Sequence, residues 1–151
     1  MAQSGPRRHA RTESHARAAA RRVALQALYR WQLNCCEWQE LVQEFAAEAQ
    51  SQRADAQYLQ ALLRGIVAQH VELDAALAPL LDRKPAELDP IEHAALLIGS
   101  FELQQRPEVP FRVAVSEAVA LARRFGATEG HKLVNAVLDR GGRLWRPAEV
   151  P

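Results

Sequence analysis

The 151 residues carry a formal net charge of +1 and are 48% hydrophobic, which suits one small domain with a real core and is short for two. No apolar run reaches the roughly 18–20 residues of a membrane span, and no signal-type apolar stretch follows the N-terminal arginines. Membrane and secreted classes are therefore excluded, and a cytoplasmic protein is expected.

The elements read as helices throughout. Residues 1–12 contain Gly5 and Pro6 and lack apolar periodicity, so they are expected as a disordered basic arm carrying Arg7, Arg8 and Arg11. A first helix is predicted from near Glu13 or Ser14, with Ala20, Ala24, Leu28 and Trp31 as its buried stripe and Arg17 and Arg21 on another. Residues 1–34 hold seven arginines against one acid. Planar guanidinium groups at that density hold phosphate, and counterion release from nucleic acid drives the association. A solvated helix face and an organellar targeting segment are the competing readings. Trp38, Leu41, Val42 and Phe45 predict a shorter helix ending near Ser51. Asp55 caps a third, in which Leu59, Leu62, Leu63, Ile66, His70, Leu73 and Leu77 keep one face, with His70 read as a hydrogen-bonded core residue. Pro79 and Pro85 loosen and end it.

The second half is punctuated more sharply. Asp89-Pro90-Ile91-Glu92 reads as N-cap, first-turn proline and a glutamate reaching back to the cap amide. Ile91, Ala94, Ala95, Ile98 and Phe101 follow on one face. Pro107 and Pro110 bracket a connector. Val115, Ala118, Val119, Ala122 and Phe125 define the next helix, with Gly126 as its C-cap. Thr128 is placed to cap a last helix through Leu133, Val134, Val137 and Leu138, ending at Gly141-Gly142 before a disordered tail, 147–151. The expected architecture is all-α: a single-domain bundle of about six to seven helices in two packed halves, spanning 13–146.

Chemistry-bearing patterns are sparse. Cys35 and Cys36 are adjacent, poorly placed to bridge each other and without metal-ligand spacing. The five histidines form no metalloprotease pair, and no Gly-rich nucleotide loop or nucleophile elbow is present. No enzyme, cofactor or metal site is expected.

Several segments in order resemble the NusB family of transcription antitermination factors. They are Arg17-Ala18-Ala19-Ala20-Arg21-Arg22-Val23-Ala24-Leu25-Gln26-Ala27-Leu28-Tyr29, Leu88-Asp89-Pro90-Ile91-Glu92-His93-Ala94 and Phe101-Glu102-Leu103. The last runs from Val113-Ala114-Val115-Ser116-Glu117 through Phe125-Gly126 to His131-Lys132-Leu133-Val134-Asn135-Ala136-Val137-Leu138-Asp139. The resemblance covers about residues 14–140. It implies a non-catalytic bundle of two helical halves that binds the single-stranded boxA element of nascent ribosomal RNA. It also implies partnership with the small-subunit ribosomal protein that doubles as NusE, with RNA polymerase and with other Nus factors.

Residue by residue, the resemblance carries RNA contact to Arg17, Arg21 and Tyr29, and to Glu129, His131, Lys132 and Leu133 at the start of the last helix. It carries partner contact to Glu92 and Leu96. Leu133 stands where the family commonly has phenylalanine, Leu97 where it has arginine, Ser116 asparagine and Ala136 glycine. Two other readings stay open: a homodimeric helical scaffold, and the N-terminal module of ribosomal RNA cytosine methyltransferases.

Overall fold

The computed structural model describes residues 6–150, with Pro6, Arg8, His9 and Ala10 as backbone only. Residues 1–5 of the expected arm and Pro151 of the expected tail lie outside the described residues. Among the described residues there are seven α-helices and two short 3-10 turns, and no strand. The helices are α1 (Pro6–Leu33), α2 (Trp38–Glu44), α3 (Ala46–Ser51), α4 (Ala56–Leu77), α5 (Pro90–Gln105), α6 (Phe111–Phe125) and α7 (Gly130–Trp145), with the 3-10 turns at Ala78–Leu80 and Pro85–Glu87.

α5 is the axis about which the halves pack. Ala94 to Leu103 are buried without interruption, so this helix is enclosed on all sides and not on the single apolar face its periodicity suggested, as expected of a helix apolar all round. α6 and α7 close over it from one half, and α1 and α4 from the other. Leu96, Leu97 and Ile98 are each at most 1% exposed, and full burial of such a side chain is worth about 1.5–3 kcal/mol. Close approach is achieved at glycines. A Cβ on Gly99 would lie 2.4 Å from Leu138 Cδ1, and one on Gly142 would lie 1.9 Å from Phe111 Cε2.

Several boundaries differ from the sequence reading, each for a local reason. α1 begins at Pro6 and not near Glu13; a proline fits the first helical position, and its lost N–H costs nothing there. The expected helix of residues 38–51 is two, broken at Phe45 (φ −100°, ψ 10°). α3 ends in a two-bond C-cap, Arg53 N to Gln50 O and Ala54 N to Ala49 O, with Arg53 left-handed at φ 56° where glycine is usual. α4 keeps its apolar face but kinks at Gln69 (φ −118°, ψ 16°), and His70 meets the edge of Trp31 at 4.9 Å. α7 starts at Gly130, with Glu129 and not Thr128 at its cap, and runs through Gly141-Gly142 to Trp145. Those two glycines are buried and serve packing, so they do not stop the helix.

Arg146 follows α7 and closes the α5–α6 connector. Its guanidinium donates to the carbonyls of Glu102, Leu103, Arg106 and Val109 and to the Glu149 carboxylate. Leu103 O, left open by the end of α5, thereby gains a donor, while Glu102 O and Arg106 O also accept from the backbone amides of Arg106 and Val109. Glu149 in turn accepts from Phe111 N at 2.7 Å, so part of the expected tail is tied to α6.

Candidate nucleic-acid interface

α1 presents its cations in two settings. Arg21 is buried, at 3% exposure, which overturns its expected place on a solvent-facing stripe. Its Nε donates to Glu102 Oε2 at 2.8 Å, and the Tyr58 hydroxyl donates to the same oxygen. Glu117 lies 3.7 Å from Arg21 Nη1. Burial opposes the arginine's charge, but Glu102, Tyr58 and Glu117 outweigh it and hold its pKa above the usual value. For Glu102, burial wins over Arg21 and pushes the carboxyl above the usual carboxylate range. Burial likewise raises the Tyr58 hydroxyl, reinforced by the Glu102 charge. The cluster ties α1, α4, α5 and α6 together and leaves the Arg21 guanidinium no open side.

Arg17, one turn earlier, sits above this cluster and is about one-third exposed. Its guanidinium lies 4.2 Å from the Tyr58 ring centroid, and Glu108 is 3.4 Å away. Arg106 shares both neighbours, at 5.1 Å from the ring and 2.8 Å from Glu108. The arginine at this end is thus stacked, half-screened and partly available.

Tyr29 belongs to a different row. At 100° per residue it falls on one stripe with Arg11, His15 and Arg22, about 120° around α1 from Arg17. Arg11, His15 and Tyr29 are exposed, and Arg22 is half-buried with its Nε on Gln52 Oε1 at 3.2 Å. The Tyr29 ring is 39% exposed and borders an open groove with Leu25, Gln26, Phe45, Ile91 and Phe125, so it is an edge aromatic and not a core one.

The same end of the bundle gathers most of the other residues singled out in the sequence. Gln32 Nε2 donates to Pro90 O at 3.1 Å, joining α1 to the start of α5. Asp89 caps α5 by accepting from Ile91 N and Glu92 N. No return bond from Glu92 to the cap amide is present among the described residues, which corrects the reciprocal capping expected of it. The Glu92 side chain instead lies on α7, its Cδ 2.8 Å from where a Cβ on Gly130 would stand. Burial and the neighbouring Asp89 push its carboxyl up, against Arg83. Glu129 and Lys132 are both about 70% exposed and paired at 2.6 Å, a surface pair of small energetic consequence. His131 is half-buried, and its Nδ1 has no partner among the described residues.

Two other expected contact residues are placed differently. Leu133 packs against the core, and Leu96 is fully buried, which corrects Leu96 as a surface available to a partner. Sequence reasoning also missed the buried cluster of Tyr58, Glu102 and Glu117 around Arg21. Its only signal was Glu102, a charge placed in an otherwise apolar stretch.

The chain is an all-α, two-halved bundle, and T. maritima NusB shares this fold with a TM-score of 0.75 at 23% identity, over 88% of this chain and 94% of that one. A sequence model described as the NusB family matches residues 18–143. The transcription antitermination protein NusB of Hahella chejuensis is 46% identical over 134 residues, 89% of this chain and 90% of that protein. That of a Marinomonas species is 45% identical over 92% of this chain and 81% of its own length. The chain belongs to the NusB family of transcription antitermination proteins.

Proposed function

We propose that this protein binds the boxA single-stranded RNA of nascent ribosomal RNA transcripts, together with the small-subunit ribosomal protein that doubles as NusE. In the cytoplasm the complex helps RNA polymerase, with other Nus factors, read through terminators; the protein performs no chemical step and takes no cofactor. The observation that carries the reading is convergence at one end of the bundle. An exposed tyrosine closing a cationic row on α1 stands beside Ile91 and Phe125, and Glu92, the residue after Ile91, lies on the α7 N-terminus.

The parts divide by chemistry. The Tyr29 ring is the flat face for an unpaired base, a contact worth about 1–3 kcal/mol. Arg11, Arg22 and Lys132 supply charge for phosphates, with Arg17 further along α1. Glu129 is an acceptor for a base edge, and His131 and Leu133 shape the turn that presents it. Glu92 offers a carboxylate to the basic ribosomal protein. Arg21 acts beneath the surface by fixing α1.

A titration of labelled boxA RNA against the protein, with and without the ribosomal protein and at two salt concentrations, tests this. Modest affinity alone and at least about tenfold tightening with the partner are expected, a coupling of about 1.4 kcal/mol. If the partner neither binds nor tightens RNA binding, the reading fails, and sedimentation at two concentrations then tests the homodimeric scaffold in its place.

A further inference from the structure

α6 carries charge that neither the fold nor the Tyr29 end uses. Arg112, Arg123 and Arg124 are exposed, and none has an ion pair among the described residues. Arg112 and Arg123 are eleven residues apart, three helical turns, so they stand on one stripe about 16 Å apart. Between them runs a groove shared with α7, floored by Val115 and Val119 and flanked by Ser116 and Asn135. Its one acid, Asp139, faces Arg143 at 3.3 Å. Glu117, the only acid of α6, is turned the other way toward Arg21. Across residues 111–146 there are seven basic residues against three acids. The stripe also connects to the Tyr29 end. Arg124 lies 5.4 Å from the centroid of the Phe125 ring, and Phe125 borders the groove beside Tyr29.

We infer that the α6–α7 groove is a second single-stranded RNA track, holding through Arg112, Arg123 and Arg124 the stretch that flanks the segment bound at Tyr29. The inference rests on the RNA reading of the Tyr29 end. Cations spaced along a groove follow a backbone without reading bases, so this track takes RNA by charge, with little sequence preference. An RNA leaving Tyr29 passes Phe125, rounds the end of α6 at Arg124 and enters the groove at Arg123.

Fluorescence anisotropy tests this with four labelled RNAs at several salt concentrations: a boxA-type RNA of about twelve nucleotides, the same RNA lengthened by about ten uridines on one side or on the other, and plain oligouridine of the longer length. One extension should tighten binding about fivefold and steepen its salt dependence. The triple variant Arg112→Ala, Arg123→Ala, Arg124→Ala should lose that gain and about two units of salt slope, at about 0.7 per phosphate contact. It should bind the short RNA as before and melt at the same temperature. The track is overturned if neither extension tightens binding, if the variant keeps the gain, or if short and long RNAs weaken alike. An acidic protein as the true occupant would give the first of these results. Failure of the Tyr29 reading is read separately, as no binding of the short RNA; oligouridine then still reports the α6 track, by its loss in the variant.

Discussion

Arg21→Ala separates a structural arginine from an RNA-contacting one. The pair it breaks is buried at both ends, with side-chain exposures of 4% for Arg21 and 0% for Glu102. Removing one member of such a pair costs about 3–5 kcal/mol, because the remaining charge is left without compensation. For a chain of this size each kcal/mol moves the melting temperature about 2–4 °C, so a drop of about 6–20 °C is expected. The loss depends on pH. Glu102 already has its carboxyl pushed above the usual range by burial, and Arg21 is the main influence holding it down. An acid whose pKa is higher in the folded state contributes stability that is full below the ordinary carboxylate range and lost as pH rises through the raised value. Without Arg21 the raised value climbs further, so more is lost at neutral pH, while in acid the protonated Glu102 needs no partner. Differential scanning calorimetry of parent and variant between pH 5 and 8 should show a gap that widens with pH. Adding Glu102→Gln to Arg21→Ala should recover much of the loss at pH 8. An unchanged melting temperature at pH 8, or a gap equal at both ends of the range, would refute the reasoning.

Arg146→Ala should cost about 1–3 kcal/mol, since truncation leaves the Leu103 and Val109 carbonyls without their donor, read as a lower urea midpoint with an unchanged slope. Arg53→Gly should stabilise by about 0.5–1 kcal/mol, because glycine accepts the left-handed φ that arginine resists, visible as a melting rise of a few degrees. Gly142→Ala should destabilise by about 1–3 kcal/mol as the new methyl meets the Phe111 ring, measured in the same denaturation series. Glu92→Ala should weaken binding of the ribosomal protein in a titration while moving the melting temperature little, given that its carboxylate makes no cap bond; a large thermal loss with unchanged affinity would return it to a structural role.

The fold was legible because apolar spacing and caps are local. Asp55 and Asp89 cap the helices their positions announced, and the stripe Ala20, Ala24, Leu28 and Trp31 is buried as read. Stops were read less well. Gly141-Gly142 looks the same in sequence whether it ends a helix or lets Phe111 approach, and only the neighbour decides. The candidate site was legible as a set of residues but not as a surface. Arg17 and Arg21 share a stripe by count, yet one lies under the other because Glu102, eighty-one residues away, draws Arg21 inward. Periodicity also missed Arg22 and Arg11 as the companions of Tyr29, since the row they share is polar and has no apolar signal to mark it.

The grip of Arg146 on the connector sets an order of events during synthesis. The carbonyls it satisfies belong to residues made 37 to 44 positions earlier. While the ribosome adds α6 and α7, Leu103 O and Val109 O therefore wait for their donor, and the α5–α6 connector is locked only once Arg146 has emerged. The half built on α1 and α4 has no such wait among its own elements, although the Arg21 cluster needs Glu102 from α5. Translation thus delivers a basic α1 with its tyrosine well before the residue that locks the α5–α6 connector.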